Sequence, residues 1–271
     1  MIDVVKTVRG RMMYDTRDEW IGQSFRHMGE FSHLECEAVK HYCKKDSLVL
    51  DIGANIGALS IPMAEAVGEN GLVISCEPQY LVHQLLVGNL ALNQVRNVLP
   101  LNVAVGREKG TMMVPDLLAS DVRELNCGGL ELGHEHKTGK QTQVKQTQVI
   151  TVDSLIQGDK EVSCIKIDVE GMEPEVLLGA MGTLIRHKPV VYFEIDRPSW
   201  NKAVAILFEL GYRCFTHQPP LYRKDNFAGY PFSPWAGHIG SHNCIAIHVD
   251  KFEQPPFKEG MGEIIAKKRG D

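Results

Sequence analysis

The stretch Val49-Leu50-Asp51-Ile52-Gly53-Ala54-Asn55-Ile56-Gly57 decides how this 271-residue chain folds. Ser47 to Ile52 is a compact apolar run, the pattern of a buried strand, and Leu59 to Val67 reads as a helix. Between them sit two glycines, where the missing Cβ lets backbone approach a ligand closely. The helix start beyond the turn presents free N–H groups. In an open parallel sheet this turn lies at the carboxyl ends of the strands, where ligands bind. Glu77 closes the next apolar run, Leu72 to Cys76, placed to accept hydrogen bonds from ribose hydroxyls. A glycine turn followed one strand later by a carboxylate marks a nucleoside site. The bland alternative is a tight strand-to-helix turn that binds nothing.

Working outward, Tyr80–Leu92 predicts a helix, with Leu81, Leu85, Leu86 and Leu92 near helical spacing, and Val98–Val105 a third strand. Val162–Ile167 is another apolar run, followed by helical sequence through Leu184. Val190–Ile195 predicts a strand, Lys202–Leu210 a helix and Asn243–Val249 a last strand. This alternation implies βαβ units, a parallel sheet with helices on both faces. The expected organisation is an N-terminal helical extension over 1–46, with a helix around Leu34–Cys43, capping one sheet edge. A Rossmann-like α/β domain spans 47–250, with insertions at 115–148 and 219–240, and 251–271 forms a tail.

Composition narrows the class. Hydrophobic residues make up 44% and charged residues 23%, which excludes a disordered chain. No apolar run reaches the roughly 18 residues of a membrane-spanning helix. With 29 basic and 34 acidic residues the net charge is -5, so broad attraction to nucleic acid is not expected. Lys267, Lys268 and Arg269 form a small basic patch, read as a solvated tail. None of the 7 cysteines is spaced C-x-x-C, and Cys76 and Cys164 lie in apolar runs. Met1 to Arg11 has no signal-peptide core. A reducing, cytoplasmic compartment is expected.

The turn itself discriminates among nucleosides. Its pattern is D-x-G-x-x-x-G, without the G-x-G-x-x-G spacing of dinucleotide folds or the Gly-Lys-Ser/Thr of a phosphate loop. Asp51 would repel phosphate yet suits a cofactor carrying an ammonium and a sulfonium. That favours S-adenosylmethionine over NAD or ATP. An NAD-dependent oxidoreductase on the same fold and a non-catalytic nucleoside-binding module are the rival readings.

The run Val49–Gly57, then Cys76-Glu77-Pro78, resembles the FkbM family of S-adenosylmethionine-dependent methyltransferases. The similarity extends to Asn89 and Asn93, Asn102-Val103-Ala104-Val105-Gly106, Thr151-Val152-Asp153-Ser154-Leu155, and Ile165-Lys166-Ile167-Asp168-Val169-Glu170-Gly171-Met172-Glu173. The last block is the most specific. Gly29-Glu30-Phe31-Ser32, Glu35 and Asn126-Cys127-Gly128-Gly129 echo the family less closely. The resemblance implies a seven-stranded Rossmann-like class I methyltransferase sheet and methyl transfer to oxygen, often on sugars or other small metabolites. By position, Asp51, Gly53, Asn55 and Gly57 would cradle the methionine part and Glu77 the ribose. The Asn102–Val105 turn, with Val103 and Ala104, would meet the adenine side. Glu30, Ala54 and Pro78 complete the implied cofactor contacts, and Asp168 would face the methyl donor or acceptor.

Apart from any family, Lys166-Ile167-Asp168-Val169-Glu170-Gly171 puts charges at the mouth of an apolar strand. Alternation places Asp168 on the side of Lys166, and buried charges need partners. A structural reading pairs Lys166 with a neighbouring carboxylate and starts a helix at Glu173; a functional reading turns the carboxylates into the ligand crevice. A hydroxyl acceptor must lose a proton during methyl transfer, which calls for a general base. Asp168, Glu170 and Glu194 are the candidates, in that order. Glu194 and Asp196 could alternatively join Asp168 around a divalent cation, although no spacing specifies a metal site. Of 11 histidines, His134-Glu135-His136 and His238 with His242 are the local pairs, and neither completes a zinc set. His33, His217 and His242 remain as substrate-loop residues or alternative bases.

Overall fold

The structure, a computed structural model, describes residues 1–115, 144–235, 240–256 and 262–264. Its strands are β1 (Ile2–Thr7), β2 (Gly10–Asp15), β3 (Leu48–Ile52), β4 (Leu72–Cys76), β5 (Val98–Leu101), β6 (Ala104–Val105), β7 (Gly110–Pro115), β8 (Val144–Ile150), β9 (Val162–Ile167), β10 (Val190–Glu194), β11 (Tyr212–His217), β12 (Asn243–His248) and β13 (Glu263–Ile264). Its helices are α1 (Ile21–Met28), α2 (His33–Tyr42), α3 (Ser60–Val67), α4 (Tyr80–Leu92), α5 (Val152–Leu155), α6 (Glu173–Leu178), α7 (Met181–His187) and α8 (Trp200–Glu209).

Every residue of β3 and β9 is buried, because both strands are covered on two faces, and this is why they read as continuous apolar runs. Alternation along them feeds two cores. Leu50, Ile52, Ile165 and Ile167 join Leu177, Leu184 and Leu207 from α6, α7 and α8. Val49 and Cys164 face the other way, onto Val39 of α2 and Met63 of α3. The main sheet runs β13-β11-β12-β10-β9-β3-β4-β5. Strands β5, β4, β3, β9 and β10 pair in parallel, while β12 is antiparallel to both neighbours. From β3 the chain first builds outward through β4 and β5, then returns to lay β9 on the other side of β3. The strand order therefore reverses between β3 and β9, and the crevice beyond their carboxyl ends is where such sheets bind ligands.

The N-terminal segment differs from the helical extension expected over 1–46. It opens with the β1–β2 hairpin, which lies against α4. Two asparagines of α4 hold it as a neighbouring strand would. Asn89 Oδ1 accepts from Met13 N at 2.6 Å, and its Nδ2 donates to Met13 O and to Ile56 O in the glycine turn. Asn93 repeats the exchange with the N–H and carbonyl of Arg11.

Three further departures concern strands. The single strand expected over Val98–Val105 is broken at Asn102, whose Nδ2 donates to the Glu77 and Pro78 carbonyls. Ala104–Val105 is thereby released to pair with β8 in a separate three-stranded sheet. Strand β11 has no counterpart in the sequence reading. Within the expected C-terminal tail, Glu263–Ile264 pairs with β11, adding an eighth strand to the seven expected. Asn126–Gly129, His134–His136, His238 and Lys267–Arg269 lie outside the described residues. Among the described residues no helix is long and apolar enough to cross a membrane.

Asn89 is fully buried and makes three side-chain hydrogen bonds that strand backbone groups if lost. Replacing it with Ala should cost about 2–4 kcal/mol, since each buried group left unsatisfied costs about 1–3 kcal/mol. Urea unfolding of Asn89→Ala measures this as a lowered midpoint at unchanged slope.

Candidate active site

The turn after β3 and the end of β9 meet across the switch point. Gly53 has φ +80°, and a Cβ there would lie 1.8 Å from the Asp168 carbonyl oxygen, so only glycine lets these segments touch. Asn55, at φ 48°, and Gly57, at φ 89°, complete the bend. The N–H groups of Gly53 and Ala54 both donate to the Cys76 carbonyl, tying the turn to the end of β4.

A cavity of about 410 Å3 opens beside this turn, lined by Ala54, Asn55, Lys166 and Asp168 and walled by Trp20 and Leu221. That volume is within the range of roughly 300–1,000 Å3 for small-molecule sites. Among the described residues the lining holds six carboxylates, from Asp18, Glu35, Asp168, Glu170, Glu194 and Asp196, against two cations, Lys166 and Arg197. Both cations are engaged. Arg197 Nε donates to Glu170 Oε2 at 3.1 Å. Lys166 Nζ donates to the Gly53 carbonyl at 2.8 Å and lies 3.5 Å from Asp51 and 3.4 Å from Asp168. Burial alone would lower the Lys166 pKa, but Asp168, Asp51 and Glu35 push it above the ordinary lysine value. The structural reading of Lys166 therefore holds, and so does that of Glu173. Glu173 starts α6 and accepts from the Gly171 N–H and the Ser199 hydroxyl.

The expected site residues divide. Asp168, Glu170 and Glu194 come together, each offering a carboxylate oxygen within 4.8 Å of the others, a grouping compact enough for a cation as well as for protons. Burial raises Glu194 to about 9, helped by the charges of Asp168 and Glu170. Burial and Asp168 lift Glu170 to about 7 against the pull of Arg197. Glu194 Oε2 is buried with no hydrogen-bond partner among the described residues. Asp196 stands at the rim, its Oδ1 2.6 Å from His242 Nδ1.

Other residues are placed differently from the sequence reading. Asp51 is fully buried and absent from the cavity wall. Its Oδ2 accepts from Ser60 at 2.6 Å, and it faces Lys166 across the β3–β9 register. Glu30 lies in a separate small cavity with His33, where Oε2 accepts from the Phe227 N–H at 3.1 Å. Glu77 is buried, accepts from the Asn55 and Gln79 N–H groups, and is lifted by burial to about 7. Asn102 clamps Glu77 and Pro78 through backbone, and Val103 and Ala104 follow it. His217 is buried against the Tyr192 hydroxyl, at 2.9 Å. Asp18, Trp20 and Glu35 on the cavity wall were not candidates. For Glu35 a signal existed: Ser32-His33-Leu34-Glu35 has the S-x-x-E spacing of a helix start, and the Ser32 hydroxyl donates to Glu35 Oε2 at 2.7 Å.

This sheet order, with one antiparallel strand inserted near its edge, is the Rossmann-like architecture of class I methyltransferases. The family profile described as Methyltransferase FkbM domain matches residues 51–214. More than half of the chain is covered, and the chain belongs to that family. Its cofactor is S-adenosylmethionine. No curated protein matches the chain. Among solved structures, precorrin-6y C5,15-methyltransferase from Geobacter metallireducens is 15% identical over 80% of this chain and 86% of its own, with a TM-score of 0.47. Methyltransferase FkbM from Methylobacillus flagellatus is 16% identical over 74% of this chain, with a TM-score of 0.43. This chain spans only 44% of that protein. Aeropyrum pernix fibrillarin, solved with natively bound S-adenosyl-L-methionine, is 12% identical over 91% of this chain and 82% of its own, with a TM-score of 0.44.

The residues present fit that cofactor: the lining is an anion-rich cradle for a molecule bearing ammonium and sulfonium charges. Two predictions follow from the charges around it. Lys166→Met strips buried Asp51 of its cation and should cost about 3–5 kcal/mol, the usual effect of breaking a buried pair, measured by chemical unfolding. Glu194, Glu170 and Glu77 hold protons above the ordinary 4.5, so the native state binds more protons than the unfolded chain between that pH and about 7 to about 9. Stability from these groups is full below pH 4.5 and is lost as pH rises through the folded values. Glu194→Gln, which mimics the protonated side chain, should flatten the upper part of that decline in melting temperature.

Proposed function

We propose that this chain is an O-methyltransferase acting on an uncharged hydroxylated small molecule, a sugar or other polyol, in a reducing cytoplasmic compartment. The observation that carries the reading is the trio Asp168, Glu170 and Glu194 in a cavity of small-molecule size, beside the glycine turn. Six carboxylates against two engaged cations make a wall unsuited to phosphates, which speaks against RNA and against a dinucleotide. The Trp20 ring, stacked on Trp235 at a centroid distance of 5.6 Å, gives the wall an aromatic surface on which an apolar sugar face packs. The six described cysteines are free and buried, which suits the compartment.

When bound, S-adenosylmethionine supplies an electrophilic methyl group for in-line displacement. The chain's part is to orient the acceptor and take its proton. Asp168 ends β9 at the crevice, half-exposed, and is held by Lys166. Its free oxygen is placed to accept the hydroxyl proton as the new O–C bond forms. Glu170, braced by Arg197, and Glu194, which retains a proton to about 9, keep the far wall from carrying full negative charge. The packed walls would limit how donor and acceptor sit relative to each other, and positioning of this kind supplies much of the rate.

The test is methyl transfer from label-bearing S-adenosylmethionine to a panel of neutral polyols, amines and RNA. Label in an ether of a polyol is the expected result; label in RNA or on nitrogen overturns the reading. With the acceptor so found, Asp168→Asn should lower kcat about 100-fold or more, in line with loss of a general base. Its dissociation constant for S-adenosylhomocysteine should stay near the wild-type value.

A further inference from the structure

We propose that Glu35, on α2, is the anionic partner of the cofactor's α-ammonium group. The inference rests on S-adenosylmethionine as cofactor and assigns a residue to one end of it. Asp51, the acid of the glycine motif, is not available for this role: it is fully buried, bonded to Ser60 and matched to Lys166. Of the other carboxylates of the cavity, all but Glu194 have partners that neutralise or occupy them. Asp168 shares Lys166, Glu170 is gripped by Arg197, Asp196 is joined to His242, and Asp18 Oδ1 accepts the N–H groups of Trp20 and Gly22. Glu194 stands apart on the far strand, beside Glu170 and Asp168.

Glu35 is different. Only 7% of it is exposed, and that surface belongs to the cavity, where it shares the wall with Ala54, Asn55 and Ala58 of the glycine turn. Two hydroxyls, Ser32 at 2.7 Å and Ser241 at 3.1 Å, donate to the same oxygen, Oε2. They fix the carboxylate and add no charge. Oε1 accepts no hydrogen bond from the described residues. The nearest cation, Lys166, is already divided between Asp51 and Asp168. A buried carboxylate held by neutral donors on one oxygen and open to a cavity on the other is costly until a cation arrives. With the Lys166 ammonium engaged by Asp51, Asp168 and the Gly53 carbonyl, the primary ammonium left to meet Glu35 is that of the cofactor. Its N–H would donate to Oε1.

Isothermal titration with S-adenosylhomocysteine and with its deamino analogue, in which hydrogen replaces the amine, tests this without any acceptor. Wild-type protein should prefer S-adenosylhomocysteine by about 10- to 100-fold, the worth of a hydrogen bond between charged groups. Glu35→Gln should lose most of that preference by weakening S-adenosylhomocysteine while binding the deamino analogue as wild type does. Equal weakening of both ligands would make Glu35 a purely structural residue, and no weakening of either would remove it from the site. Should Glu35→Gln fail to fold, the wild-type comparison still decides: equal affinity for the two ligands overturns the proposal. Wild type that binds neither ligand would overturn the cofactor assignment itself, and Glu35 with it.

Discussion

A lysine ammonium enclosed in the middle of a sheet is the constraint on which the rest of this structure depends. Lys166 reaches from β9 to a carboxylate on β3, to a second at its own strand end, and to the carbonyl of Gly53. The contacts to Asp51 and Gly53 join segments distant in sequence. A cation so enclosed is tolerable only with its acids in place, and the acids are tolerable only with it. The positions of the glycine turn, the β9 terminus and the cavity floor are thus set by one electrostatic knot. Asp51, legible as a ligand-facing acid, works from behind the turn: it anchors the lysine that holds Gly53 and Asp168 together.

That arrangement explains the uneven charge of the site. The wall facing the cavity keeps more acids than cations, yet two of those acids, Glu170 and Glu194, hold protons to higher pH because they are buried and stand near Asp168. The lining is therefore anionic overall without carrying six full charges. Trp20 and Leu221 close the same cavity from segments remote in sequence.

The central elements were legible because β3, β4, β9 and β10 are covered on both faces and α3 and α4 carry apolar sequence between them. What sequence could not display were elements defined by partners. β8 is Val-Lys-Gln-Thr-Gln-Val-Ile, mostly exposed, and reads as loop until β7 is seen beside it. β13 is two residues long and exists only through β11. Val98–Val105 reads as one strand because nothing local shows that the Asn102 amide will seize the Glu77 and Pro78 carbonyls. The same limit applies at the site. Asp168, Glu170 and Glu194 were legible as acids at strand ends, where topology alone sends them to the crevice. Glu30 and Glu35 are equivalent by type and lie on either side of one helix start; only tertiary packing sends one to a side pocket with Phe227 and the other to the main cavity.

The strand order carries a consequence for biosynthesis. Asp51 belongs to the first strand of the main sheet to leave the ribosome, while its counter-ion sits far downstream on β9. A nascent chain that has produced β3, β4 and β5 has no cation with which to bury that acid. The buried ion pair at the centre of the sheet can therefore close only after translation has passed Lys166.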